Sequence, residues 1–150
     1  GLRYLRDAKA STWPAGVNVS VHWYPHGDSN RNPHPGFASR QDEVDQLLKI
    51  IGARTWGLSE FGFHTAKRSR SWIDRLLGIQ NKPWTDDQVA EMVDLEWDFW
   101  ERVGAAGAVL YQVNDGPTAG SPRPQALDTY GIRRLDGTWK PVAATFKRQE

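Results

Sequence analysis

A chain of 150 residues, 39% apolar and 25% charged, has the length and composition of one globular segment with a buried core, which excludes a disordered or collagen-like chain. With 19 Lys and Arg against 18 Asp and Glu the net charge is +1, so no long-range field draws it onto nucleic acid or an anionic membrane. The absence of Cys excludes disulfides, thiolate catalysis and zinc–thiolate sites together and leaves the compartment, secreted or cytoplasmic, open.

No run approaches the roughly 18 to 20 apolar residues of a membrane span, and Gly1-Leu2-Arg3-Tyr4 has neither Met nor a signal-peptide core, so the start reads as a cut. Residues 2–9 read as the tail of a helix, broken by Pro14 and Gly16. Residues 17–24 then alternate: Val17, Val19, Val21 and Trp23 on one face, Asn18, Ser20, His22 and Tyr24 on the other, the period of a strand. A turn-rich loop, 25–38, follows. Ser39 caps a helix with Asp42 and Glu43 in its first turn and Val44, Leu47, Leu48 and Ile51 on one stripe, and Gly52 ends it.

A second strand is predicted over 54–61, then a loop over 63–84 with a short helix at 72–77. Thr85-Asp86-Asp87-Gln88 is a capping box that opens the longest helix, through about Val103. The third strand is 108–113. A Pro/Gly-rich loop, a hairpin turning at Asp136-Gly137 and a last short helix near Pro141 complete the chain. Helices alternating with strands imply parallel strands joined by crossovers. Long, aromatic loops leave the C-terminal ends of the strands and short ones enter them, which is the asymmetry of a barrel enzyme, although a complete barrel takes about 250 residues.

Glu60, in Ser59-Glu60-Phe61-Gly62, ends a strand predicted to be buried, where an ionised carboxylate is costly unless paired or used. It is the candidate catalytic residue; the plain alternative is a salt-bridged strand-end Glu. His22 and Tyr24 end the preceding strand on one face and are placed to donate hydrogen bonds to a carboxylate at the same mouth. Tyr111 and Gln112 are adjacent and point opposite ways, so one of them faces inward. Asp115-Gly116 reads as a turn. Trp23, Trp72 and Trp84 are candidates to stack on sugar faces, whereas Trp56 reads as core. Lys67, Arg68 and Arg70 read as a solvated loop. His22, His26, His34 and His64 lack the spacing of a metal-ligand set, and no nucleotide-binding or serine-esterase motif is present, so neither metal nor cofactor is expected.

In order along the chain, Val19-Ser20-Val21-His22-Trp23-Tyr24-Pro25, Trp56-Gly57-Leu58-Ser59-Glu60-Phe61-Gly62, Leu110-Tyr111-Gln112-Val113-Asn114-Asp115-Gly116 and the closing Tyr130-Gly131-Ile132 through Asp136-Gly137-Thr138-Trp139-Lys140-Pro141 resemble the sixth, seventh and eighth strands and the tail of clan A glycoside hydrolases, of the family 5 cellulase-like and family 39 kind. The resemblance implies an α/β fold that is part of a (β/α)8 barrel, its last three strand-helix units, with residues 1–150 forming the C-terminal portion of a glycosidase catalytic domain. It implies Glu60 as nucleophile, Tyr24 as its hydrogen-bond partner and His22 beside the sugar subsite at the point of cleavage. Trp23, Tyr111 and Gln112 are the further substrate-binding candidates, although the family's eighth strand often carries a Trp where this chain has Tyr111 and Gln112.

A retaining glycosidase needs a second carboxylate about 5 to 5.5 Å from the nucleophile, and the family carries it in an Asn-Glu pair that this sequence lacks. Glu43, Glu91, Glu96 and Glu101 fall on predicted helices. The expectation is therefore a parent enzyme that hydrolyses a β-linked oligosaccharide or polysaccharide, with the acid/base in a missing N-terminal barrel half and the isolated chain inactive. The rival readings are a non-catalytic carbohydrate-binding module and a half-barrel that pairs with another chain.

Overall fold

A computed structural model of the chain describes residues 2–14, 16–23, 39–63, 65, 84–121 and 126–147. They form two compact units, residues 1–61 with 96–110 and residues 62–95 with 111–150.

The first unit is built on a parallel sheet with the strands in chain order, β1 (Val19–Trp23), β2 (Trp56–Phe61) and β3 (Ala108–Leu110). After α1 (Leu2–Asp7) and a 3-10 turn at Ala10–Thr12, the β1–β2 connection carries α2 (Arg40–Ile51) and the β2–β3 connection carries α3 (Asp86–Arg102). Parallel neighbours require such crossovers. The ends of α2 follow from its sequence: Ser39 Oγ accepts from the Asp42 N–H at 3.0 Å, and Gly52, at φ 66°, donates its N–H to the Leu48 carbonyl at 2.9 Å. At α3 the Thr85 N–H donates to Gln88 Oε1 (2.9 Å) and the Gln88 N–H to Thr85 Oγ1 (3.2 Å), closing the capping box.

The core of this unit lies between the sheet and the helices. Val44, Leu47 and Ile51 are buried along α2, and Trp100 of α3 meets Trp23 edge-on at 4.9 Å, Trp56 at 6.1 Å and Phe99 at 4.9 Å between ring centroids. Phe61, fully buried, packs on Trp97 at 6.0 Å. These aromatic contacts contribute about 0.5–1.5 kcal/mol each beyond the area they bury. Glycine is required at position 57, where a Cβ would lie 2.7 Å from the Gly107 carbonyl oxygen of the neighbouring segment.

The second unit is held by loops and polar pairs. Asn114 bridges to Arg133, and Arg133 to Trp139, across a turn at Asp136-Gly137 closed by the Arg134 N–H to the Thr138 carbonyl (2.8 Å). Lys140 Nζ meets Asp115 Oδ1 at 2.7 Å with both side chains buried, and Asp128 accepts from the Thr118 backbone and hydroxyl. A second 3-10 turn (Ala126–Thr129) and α4 (Ala143–Lys147), just after Pro141, complete it.

The strands are shorter than the predicted 17–24, 54–61 and 108–113. The third stops at Leu110 because the carbonyls of Gln112 and Val113 accept from Ile132 and Arg133 of the second unit instead of joining the sheet. The predicted helix at 72–77 lies outside the described residues. No helix among the described residues is long and apolar enough to cross a membrane.

Candidate active site

Val21 pairs with Leu58, but the next residue of β1, His22, pairs with Glu60, which leaves Ser59 as an extra residue in β2. The same jump appears against β3, where Leu58 pairs with Ala108 and Phe61 with Leu110. This is a β-bulge, and its effect is to re-aim side chains. A strict period of two would place Glu60 on the face of Trp56 and Leu58, which are 4% and 3% exposed. With Ser59 inserted, Phe61 takes the buried face opposite Trp23, and Glu60 takes the other face opposite His22.

There, His22 Nδ1 lies 3.4 Å from Glu60 Oε2, with the His side chain 59% and the Glu side chain 35% exposed. Alternation along β1 and β3 puts the exposed Ser20 and Val109 on the same face of the sheet, with the helices against the other.

The remaining sequence-derived candidates separate. Trp23 is a correction: it is 5% exposed and packed on Trp100, so its ring is core and presents no platform to a sugar. The reason is parity, since Trp23 is the β1 residue next to His22 and faces the opposite side. Tyr24, Trp72, His26, His34, His64, Lys67, Arg68 and Arg70 lie outside the described residues. Tyr111 and Gln112 belong to the second unit; they are joined by a cis peptide bond, and Tyr111 packs edge-on against Tyr130 at 5.8 Å. Burial, together with Tyr111, pushes the Tyr130 phenol upward. Asp115 is held by Lys140 and donates its N–H to the Arg133 carbonyl; the turn read at Asp115-Gly116 lies further on, at 117–120. Among the described residues no group of three or more His, Asp or Glu side chains could hold a metal ion.

Sequence reasoning missed Arg40 and Glu96. Glu96 is 1% exposed and accepts from Arg40 Nη2 at 2.5 Å. Burial pushes its carboxyl up to about 7, against the opposing pull of Arg40. The signal was present in the helix period, because Val89, Val93, Glu96 and Trp100 fall on one stripe and a carboxylate there must be buried.

No protein-family model matches the chain, and no curated protein matches it. Among solved structures it is similar to the β-glucuronidase of Ruminococcus gnavus. The complex with a C6-substituted uronic isofagomine is 18% identical over 73% of this chain, with a TM-score of 0.51. A second structure of that β-glucuronidase is 16% identical over 73% of this chain, with a TM-score of 0.53, and a complex with D-glucaro 1,5-lactone gives 16%, 73% and 0.52. The chain spans 17–18% of the length of those chains. At such identities the likeness is one of fold: an α/β chain with a three-stranded parallel sheet, consistent with a partial barrel.

Proposed function

We propose that this chain is the C-terminal part of a retaining glycosidase that cleaves a β-linked glycan, with β1, β2 and β3 as the sixth, seventh and eighth strands of a clan A barrel and Glu60 as the nucleophile. The observation that carries the reading is the position of Glu60: at the C-terminal end of the middle strand, turned by the Ser59 bulge away from the core and opposite His22. Strand C-termini are where barrel enzymes build their sites.

In the first step a Glu60 carboxylate oxygen bonds to the anomeric carbon as the glycosidic C–O bond breaks, and a second carboxyl group gives its proton to the departing oxygen. In the next step that carboxylate takes a proton from water, the water oxygen bonds to the anomeric carbon, and Glu60 leaves as a carboxylate. His22 donates to the carboxylate and orients it. The second carboxyl comes from the rest of the longer protein, since Glu43, Glu91, Glu96 and Glu101 lie on helices.

The test is made in the longer protein. Glu60→Gln is expected to lower kcat at least about a thousandfold while folding and substrate binding persist, because the amide is nearly isosteric but is no anionic nucleophile. An activated fluoro-sugar should leave a covalent adduct on Glu60, read by mass spectrometry. An adduct on another carboxylate, or near-normal turnover by Glu60→Gln, overturns the assignment.

A further inference from the structure

We propose that the buried Arg40–Glu96 pair is a positioning device that fixes the C-terminal ends of β1 and β2, and through them the geometry of His22 against Glu60; its catalytic consequence rests on the reading of Glu60 as a nucleophile. Arg40 is the first residue of α2, and its guanidinium carbon sits 4.0 Å from the Phe99 ring centroid, 5.6 Å from that of Trp100 and 5.9 Å from that of Trp23. Glu96, one turn before Trp100 on α3, holds the guanidinium by a 2.5 Å hydrogen bond. Trp23 is the chain neighbour of His22 and the register partner of Phe61, which follows Glu60. The ion pair therefore abuts the back of the two strand ends whose front carries the candidate site, at the place where the bulge has already broken the regular ladder.

Stability does not account for charges in this position. Removing two ions from water is costly, and replacing a buried pair by apolar residues of similar volume is often neutral or stabilising. What the pair supplies that apolar side chains do not is direction. A planar guanidinium held by a carboxylate and stacked among three rings has one orientation, and the Trp23 ring is seated against it. Loss of that orientation is expected to let the strand ends shift by fractions of an ångström, enough to affect a reacting group set by a single bulge.

The experiment replaces both charges in the longer protein with Arg40→Met and Glu96→Leu. The expected result is a fold as stable as the parent's, kcat lower by about 10- to 100-fold with KM within about twofold, and slower fluoro-sugar labelling of Glu60. Single Glu96→Gln, which keeps shape and hydrogen bonding, should recover most of the lost rate and serves also if the double variant folds poorly. A second readout needs no turnover: the His22 imidazole titration followed by NMR should move in the double variant and return toward the parent's in Glu96→Gln. An unchanged His22 titration, or a loss of stability with kcat intact, overturns the positioning role. If the sugar labels a residue other than Glu60, the nucleophile assignment fails and the His22 titration alone decides whether the pair sets the strand ends.

Discussion

Glu60 stands directly across the sheet from His22, Oε2 3.4 Å from Nδ1, because Ser59 is an extra residue in β2. Two residues earlier the strands are in simple register, with Ser20 opposite Gly57. The bulge therefore assigns the Glu60 carboxylate to the open face and hands the buried position to Phe61, which has no polar group to satisfy there.

Deletion of Ser59 removes the extra residue, so Glu60 then follows Leu58 directly and a period of two keeps it on the open face opposite His22. The expected outcome is a folded variant that still takes the fluoro-sugar label on Glu60, with about 0.5–3 kcal/mol lost in unfolding free energy from the shortened strand. Ser59→Ala, which keeps the chain length, should label normally and lose less than about 0.5 kcal/mol. Loss of labelling in a folded deletion variant would show that the bulge itself, and not the parity of β2 alone, places the carboxylate.

His22→Phe keeps a ring and removes the nitrogen that faces Glu60. Hydrogen bonds to charged groups contribute about 1.5–3 kcal/mol, so kcat in the longer protein should fall about 10- to 100-fold, while Glu60 remains the labelled residue. Steady-state kinetics paired with peptide mapping checks it.

Trp23 and Trp100 are core residues that stack edge-on, and replacing either by Ala should cost about 3–5 kcal/mol of stability. Trp23→Phe should be milder and leave KM unchanged. A raised KM in a variant of normal stability would return Trp23 to the sugar-binding set.

Glu96 makes stability depend on pH in a direction opposite to that of ordinary salt-bridged acids. Burial, the largest cause, pushes its folded carboxyl from the ordinary 4.5 up to about 7, with Arg40 opposing it. Arg40 itself is pulled down by burial, with Glu43 favouring its charge and Arg102 opposing it. The folded state thus holds a proton that the unfolded state releases, so the contribution is complete below about 4.5 and is lost as pH rises through about 7. Urea unfolding should show a decline on the order of 1–3 kcal/mol between pH 5 and pH 8, and Glu96→Gln should flatten it.

Much of the architecture was legible from local pattern. Ser39, Gly52 and the Thr85–Gln88 box mark helix ends where they occur, since capping depends on residues within four positions of one another. The three strands and their parallel order followed from alternation and from the helices between them. The third strand was drawn too long because apolar residues at 111 and 113 look like strand, whereas the carbonyls of 112 and 113 accept from Ile132 and Arg133, distant in the chain.

By itself the sequence determined the element order, the strand on which Glu60 stands and the neighbouring strand end that carries His22, because these depend on side-chain periodicity and short-range capping. The tertiary structure alone decided which way Glu60 faces, that Trp23 is core, and that Glu96 is buried against Arg40. A bulge changes which residue pairs with which without leaving a mark in composition, and Arg40 and Glu96 stand 56 residues apart. Register and long-range pairing are settled only when the sheet and its helices pack together, since burial then sets the cost of each face a side chain can take.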